Sequence, residues 1–277
     1  MKLTLSKRAL SNIYLTFIRP VLEYACEVWD GCYERDIEKL EKIQLEAARI
    51  VTGLTKFASK DSLYFETGWE TLANRRKNRK LTIFYKIHNK LCPPYLFNCL
   101  PPATSNANNY NLRNNSQNYI PPRCRLRTSA CSFIPSTVSL WNNQDISIRN
   151  SSTISLFRNR VKGDTYKPPE YYNEGSRKLN ILHTRLNHQC SALNADLSRI
   201  HVINNYKCNC GASFEDAIHY FLECPLYLNE RRTLLSDCDD ININIETLLF
   251  GNDNYSYDVN SKIFGKARTF INQSKRF

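Results

Sequence analysis

Hydrophobic residues recur at helical spacing over the first sixty positions. In the first stretch they form one broad stripe, which predicts a helix that is buried along this face and interrupted at Pro20. A second stripe follows the turn at Asp30-Gly31 and predicts a helix from about residue 35 to residue 51, ended by Gly53. Because the predicted turn between these two helices is short, we expect the helices to be antiparallel. The first stripe consists of Ile13, Phe17, Val21, Ala25 and Val28, with Leu10, Tyr14, Ile18 and Leu22 beside them.

The middle of the chain changes from one long amphipathic pattern to irregular composition. Residues 71–90 predict a third helix, with Leu72, Ile83, Phe84 and Ile87 facing inward and the basic residues 75–80 facing outward. Residues 101–122 are rich in Asn, Pro and Ser, which predicts a long loop or linker. Residues 123–127 alternate basic and other residues and could be strand-like or extended. Residues 146–161, together with Trp141, predict short helices that pack on a core.

The last hundred residues carry one strong leucine pattern and then a polar stretch. Leucines at 179, 182, 186, 193 and 197 predict an amphipathic helix or a broken helix pair over residues 178–200. Nearby His183, His188 and His201 are interpreted as surface or packing residues rather than ligands. Residues 236–277 are polar and Asn-rich, so we expect a tail with a frayed end.

These patterns predict a mainly α fold in four consecutive segments. They are residues 1–57, a helical hairpin; residues 58–168, a basic helix followed by a mixed connector; residues 169–235, a helical segment with a small metal-stabilised subdomain; and residues 236–277, the polar tail. A length of 277 residues suits one large domain or two to three small ones.

The positive charge of the chain is concentrated in its middle. The net charge is +12, and no acidic residue occurs between Glu70 and Asp145, a stretch that contributes eleven basic residues. A block of this kind repels itself, so it usually indicates a polyanionic partner, most often nucleic acid. The alternative without a polyanionic partner is that this block is a solvated helix face followed by a basic loop. The candidate nucleic-acid-binding residues are Arg75, Arg76, Lys77, Arg79, Lys80, Arg123, Arg125 and Arg127.

Three cysteines and one histidine lie within seventeen residues near the C-terminal end. Cys208, Cys210, His219 and Cys224 match the four soft ligands of a closed structural zinc site, in which the metal stabilises the chain and does not activate water. The gap between Cys208 and Cys210 is one residue shorter than usual. The alternative is three buried free thiols beside a core histidine.

The residues around these ligands explain how they could converge. Gly211 permits a sharp turn after the second thiolate. Ser213 and Asp216 resemble a capping box that begins a short helix carrying His219 and Cys224, and Pro225 ends that helix.

The cysteine pattern and the charged residues near the N-terminus favour a reducing compartment. The eleven cysteines are odd in number and lack framework spacing, which argues against a secreted disulfide scaffold. Charges near the N-terminus interrupt any signal-peptide core, and no segment is apolar enough to span a bilayer. We therefore expect an intracellular protein without membrane contact, and the basic cluster at residues 75–80 is compatible with nuclear localisation.

Several segments together resemble the C-terminal part of the reverse transcriptase of non-LTR (LINE-type) retrotransposons. The runs 13–29 and 40–53 are similar to the thumb that follows the polymerase palm. Residues 110–113 and the stretch from Arg127-Thr128-Ser129 to Leu140-Trp141-Asn142 are similar to the connector. Residues 185–188, the four candidate ligands, Pro225-Leu226-Tyr227 and Arg231 resemble the terminal zinc-binding segment.

This resemblance implies binding of template RNA or target DNA, beside a separate reverse transcriptase palm, rather than catalysis. Polymerases of this kind hold two metal ions on palm carboxylates, two of which stand in an aromatic-Ala-Asp-Asp turn that is missing here. The pair Asp239-Asp240 lies in a polar context without flanking strand residues. We therefore expect no enzyme activity. Two alternatives remain open, a zinc-stabilised helical protein-interaction module and an inactive transposon relic.

Overall fold

The computed structural model of the protein describes residues 5–104, 117–236 and 243–277. Within these ranges the chain is mainly helical and forms no β-strand, although an isolated antiparallel bridge pairs Ala103 with Tyr119. The mainly α fold class is therefore confirmed. Arg113, Cys238 and the Asp239-Asp240 pair lie outside the described residues.

The α-helices are numbered in chain order. They are α1 (Lys7–Ile13), α2 (Arg19–Leu22), α3 (Cys26–Trp29), α4 (Glu34–Thr52), α5 (Lys60–Thr67), α6 (Leu72–His88), α7 (Arg127–Cys131), α8 (Phe133–Asn142), α9 (Ile146–Arg149), α10 (Ile154–Lys162), α11 (Arg177–Asn187), α12 (Asn194–Arg199), α13 (Leu228–Leu235), α14 (Ile245–Phe250) and α15 (Tyr257–Gln273). The described residues also include two π-helical segments, Tyr14–Ile18 and His219–Glu223, and the 3-10 segments Pro94–Cys99, Glu170–Asn173 and Pro225–Tyr227.

The chain divides into two compact units that interleave along the sequence. The first contains residues 1–16, 45–69 and 167–277, and the second contains residues 17–44 and 70–166. The predicted segment 1–57 is thus divided between the units, and the segments 169–235 and 236–277 belong to the same unit. Long-range packing, rather than composition, decides which stretches share a core.

The expectation that the first apolar stripe is buried was wrong. Phe17 and Val21 are each 73% exposed and Val28 is 84% exposed, whereas Tyr14 and Cys26 are buried. A π-helical turn begins at Tyr14, and Ala25 adopts the left-handed region with φ 49°. Each of these breaks changes the angular position of the residues that follow it, so the stripe does not stay on the buried face.

The predictions for the next helices were accurate. The structure begins α4 at Glu34 and ends it at Thr52, and Gly53 follows with φ +75°. Thr71 begins α6 as its N-cap, since its side chain accepts a hydrogen bond from the Asn74 N–H at 3.1 Å. Long, regular amphipathic patterns with a cap at one end specify helices reliably.

The second unit has an aromatic core. Trp141 and Phe157 are fully buried against Phe84 of α6, and the Trp141 indole N–H donates to the Gln117 carbonyl at 3.0 Å. The predicted short helices around Trp141 are therefore confirmed as α8, α9 and α10. Of the basic stretch 123–127, only Arg127 is helical, and the preceding residues form no strand.

The expectation of a polar, frayed C-terminal tail was wrong. Residues 257–273 form the long helix α15, which buries Ile263, Phe264, Ala267 and Phe270. Ile263, Ala267 and Phe270 pack with buried residues of α11, α13 and α14 in the core of the first unit, and Phe264 packs with Tyr171 and Tyr172. The apolar positions of this segment recur every three to four residues, which is the spacing of one helix face, although its average composition is polar.

No helix among the described residues is both long and apolar enough to cross a membrane.

Candidate metal centre and basic cleft

A tight loop carries the first two cysteines of the candidate metal centre. The Cys208 N–H donates to the Ala212 carbonyl at 2.9 Å, and the Gly211 N–H donates to the Cys208 carbonyl at 3.0 Å. Gly211 has φ +98°, a conformation that L side chains rarely adopt. The predicted role of this glycine is confirmed.

The other two ligands come from the π-helical segment His219–Glu223 and the residue after it. Asp216, rather than the expected Ser213, caps this turn, since its carboxylate accepts from the His219 N–H at 2.8 Å. At the other end, the buried Arg231 donates to the carbonyls of Phe221 and Cys224 at 2.8 and 2.7 Å. Arg231 thus satisfies carbonyls that a helix end leaves unpaired.

The four side chains converge on one point. Their ligand atoms all lie within 4.8 Å of one another, and Cys208, His219 and Cys224 are buried. The Cys208 and Cys224 sulfurs are 3.7 Å apart, and the Cys210 sulfur lies 3.2 Å from His219 Nε2. Two sulfurs at about 2.3 Å from a tetrahedral ion are about 3.8 Å apart, so this arrangement fits a metal such as zinc.

The local environment also suits a metal. His219 Nδ1 lies 3.5 Å from the Glu223 carboxylate, as is common for the non-ligating nitrogen of a metal-bound histidine. The Ala212 N–H points to the Cys210 sulfur and lowers the pKa of that thiol to about 7, whereas burial raises the pKa of Cys224 to about 12. Without a cation, a buried Cys224 thiol stays protonated. A bound cation would stabilise its thiolate.

The three other histidines of this region lie outside the cluster, as predicted. His183 is buried and hydrogen-bonds the Leu248 carbonyl at 2.8 Å, and His188 lies 3.1 Å from the Glu66 carboxylate. His201 is exposed.

The predicted basic cluster on α6 is only partly exposed, which corrects the expectation that residues 75–80 face outward. Arg76 and Lys80 are 3% and 4% exposed, and both bind the Asp30 carboxylate, at 2.7 and 2.8 Å. Burial alone would raise the pKa of Asp30, but the hydrogen bonds and charges of Lys80 and Arg76 lower it. The spacing of these two residues, i and i+4, places them on the inner face of the helix.

The remaining predicted basic residues are more accessible. Arg75 donates to the Glu23 carboxylate and Arg79 pairs with Glu27, although half of the Arg79 side chain stays exposed. The exposed members of the set without an ion pair among the described residues are Lys77, Arg123, Arg125 and Arg127.

A cleft of about 470 Å³ in the second unit collects basic residues from two helices. Arg79 and Lys86 line it from α6, and Arg158 and Lys162 line it from α10. Three glutamates also line it, of which Glu23 pairs with Arg75 and Glu27 with Arg79; the third is Glu70. Among the described residues, no carboxylate lies within ion-pair distance of Lys86, Arg158 or Lys162. Arg158 and Lys162 were missed because they follow the acid-free stretch, although their i, i+4 spacing on a short amphipathic helix was visible.

Comparison of the chain with protein-family models, with curated proteins and with solved structures finds no match.

Proposed function

We propose that this protein is a non-catalytic nucleic-acid-binding module, of the kind that the C-terminal part of a non-LTR retrotransposon reverse transcriptase would supply. Its partner would be template RNA or target DNA. The basic cleft would contact the phosphates, and the cluster of Cys208, Cys210, His219 and Cys224 would hold one structural zinc ion.

The observation that carries the proposal is the convergence of unpaired cations on the cleft. Folding could have paired every cation of the charge block with a carboxylate, and Arg76 and Lys80 do share the Asp30 carboxylate. Lys86, Arg158 and Lys162 have no such partner within the described chain. Three unneutralised cations on one open surface repel one another, and a string of phosphates removes that repulsion.

A charge-reversal variant tests the cleft. Replacing Lys86, Arg158 and Lys162 by Glu should weaken binding to a fluorescein-labelled 20-base-pair DNA duplex and to the matching RNA–DNA hybrid. Each phosphate contact contributes about 0.9 to the slope of log affinity against log salt, so loss of three contacts should reduce the slope by about 2.7. The measurement is fluorescence anisotropy between low and physiological salt.

The matched control reverses three exposed basic residues of the first unit, Lys60, Lys178 and Arg232, with the same change in net charge. It should retain most of the affinity and the slope. Equal losses of affinity in the two variants would show that the cleft is not the binding site. Wild-type binding that does not depend on salt would reject nucleic-acid binding as a whole.

The zinc assignment has its own test. Purified protein should contain about one zinc per chain, and chelation should remove it together with local structure around Tyr220 and Phe221, which adjoin the ligands and are buried. Cys224→Ser should lose the metal, whereas the exposed Cys32→Ser should keep it. Protein without zinc, in which Cys208 and Cys224 react with an alkylating reagent under native conditions, would reject the assignment.

One observation favours the alternative of a protein-interaction module. Phe17, Val21, Tyr24 and Val28 are each at least 73% exposed within one short stretch of the second unit. Exposed apolar patches of this kind often mark protein contacts. Two results together would support this alternative. The cleft variant would still bind the duplex, and Val21→Ser and Val28→Ser would abolish association with a separate palm domain.

A further inference from the structure

The acidic side chains of residues 17–33, in the second unit, are all paired with basic residues of α6. Both ion pairs of Asp30 are short, at 2.7 and 2.8 Å. The pairs are Glu23 with Arg75, Glu27 with Arg79, and Asp30 with both Arg76 and Lys80. These carboxylates are therefore already engaged within the chain and do not offer binding partners to a basic ligand.

The side chains that this segment exposes are apolar instead. The apolar face consists of Phe17, Ile18, Val21, Tyr24, Val28 and Tyr33, and all of these except Ile18 are at least 69% exposed. No exposed residue between positions 17 and 33 carries a charge, and the one basic residue there, Arg19, is half-buried. Folded chains normally show the reverse arrangement, with charged side chains outside and large apolar side chains inside.

The apolar face is large enough for a stable protein–protein interface. An aromatic residue carries about 150–250 Å² of accessible surface, so the exposed fractions of the six residues amount to roughly 700 Å². The largest apolar patch of a typical monomer measures about 300–600 Å². A standard interface buries about 800 Å² on each partner. The apolar face therefore supplies most of the area that one partner contributes to a stable dimer.

The electrostatics of this face favour a second copy of the chain as the partner. In a two-fold dimer each surface meets its own copy, so exposed charges near the axis would face like charges. The chain carries a net charge of +12, and two copies therefore repel wherever their basic surfaces meet. An uncharged apolar face allows contact without that repulsion and removes apolar area from water on both copies.

We infer that the protein forms a two-fold dimer through the apolar face, with a second copy of the same chain as the partner. Phe17, Tyr24 and Tyr33 would supply the anchors of the interface, since aromatic side chains bury the most area and dominate interface energetics. The dimer does not depend on the proposed function, because the apolar face carries no exposed cation and can pair whether or not the basic cleft binds phosphates.

The mass of the protein in solution tests the dimer. Zinc-loaded protein is kept reduced, so that the exposed Cys32 cannot cross-link two copies. In sedimentation equilibrium its average mass should rise from 32.3 kDa toward twice that value between about 1 and 100 µM. The double variant Val21→Ser/Val28→Ser should raise the dimer dissociation constant at least about tenfold.

A matched control separates the apolar face from other exposed apolar residues of the same unit. Tyr95 and Leu126 are 67% and 68% exposed. The double variant Tyr95→Ser/Leu126→Ser should therefore leave the dimer dissociation constant unchanged. Circular dichroism should show the helical content of the wild type in both double variants, since all four positions are exposed.

Hydrogen exchange locates the interface without any substitution. Backbone amides of residues 17–33 should exchange more slowly at about 100 µM than at about 1 µM in the wild type, but not in the Val21→Ser/Val28→Ser variant. Wild-type protein that stays at 32.3 kDa over this range would overturn the inference, as would undiminished dimerisation of that variant. Binding of the wild type to uncharged phosphatidylcholine vesicles in place of dimerisation would also overturn it and would assign the apolar face to lipid.

Discussion

Arg276, one residue before the C-terminal end of the chain, forms a two-pronged ion pair with Glu215 of the metal-binding loop. Its Nε and Nη2 atoms each donate to a different carboxylate oxygen, both at 2.8 Å. The Glu215 side chain is 3% exposed and also accepts from the Asn194 N–H at 2.9 Å. Arg276 thus holds Glu215 in place beside the loop that carries two of the candidate ligands.

Removal of this pair should destabilise the first unit. Arg276→Met leaves the buried Glu215 carboxylate without its cation, with the Asn194 N–H and, at 3.9 Å, the Cys208 sulfur as its remaining partners. We therefore expect a loss of about 2 kcal/mol, below the range for fully buried pairs because Arg276 is partly exposed. Chemical denaturation of the zinc-loaded protein measures the change. Arg232→Met, an exposed position in the same unit, should change stability by less than about 0.5 kcal/mol.

The same substitution at two neighbouring basic residues on α6 should destabilise the protein at one position and have almost no effect at the other. Arg76→Met leaves the Asp30 carboxylate with Lys80 alone and should cost about 3 kcal/mol of stability. Lys77→Met removes the same charge from an exposed side chain and should be nearly neutral. Equal effects in urea unfolding would contradict the inward position of Arg76.

His183 should make the stability of the first unit depend on pH. Burial lowers the pKa of His183 to about 4, from an ordinary value of 6.5. Between these values the unfolded chain binds a proton that the folded chain does not, so stability should fall on acidification by about 1.4 kcal/mol per pH unit.

A substitution separates the contribution of His183 to the pH dependence of stability from the contributions of other groups that titrate in acid. His183→Gln keeps a donor toward the Leu248 carbonyl but cannot titrate, so its stability should fall less between pH 6.5 and 4 than that of the wild type. Exposed His201→Gln should retain the full dependence. Parallel curves for wild type and His183→Gln would show that the imidazole is not buried in its neutral form.

Replacement of Gly53 by alanine should destabilise the protein more than replacement of Gly163 by alanine. Both have positive φ, +75° and +64°, so both variants carry a backbone cost of about 1 kcal/mol. A Cβ at Gly53 would lie 2.5 to 2.8 Å from Ile181 side-chain atoms, whereas a Cβ at Gly163 meets nothing within 4 Å. We therefore expect Gly53→Ala to cost about 1–3 kcal/mol more in thermal or urea unfolding.

Local signals in the sequence were sufficient for the metal-binding loop and for most helices. Gly53 and Gly211 occupy the turn positions that the sequence predicted, and the four candidate ligands converge as their spacing suggested. Nucleic-acid binding and zinc remain predictions. They depend on the experiments above.

The sequence by itself determined the mainly helical structure, the spacing of the four ligands and the excess of positive charge, because helix periodicity, caps and composition are local properties. Only the tertiary structure decided which cations stay available, since Arg76 and Lys80 are buried and bind Asp30, which is more than forty-five positions away. It also decided that Phe17 and Val21 are exposed and that α15 is buried. Burial depends on contacts between distant segments, which a local pattern does not contain.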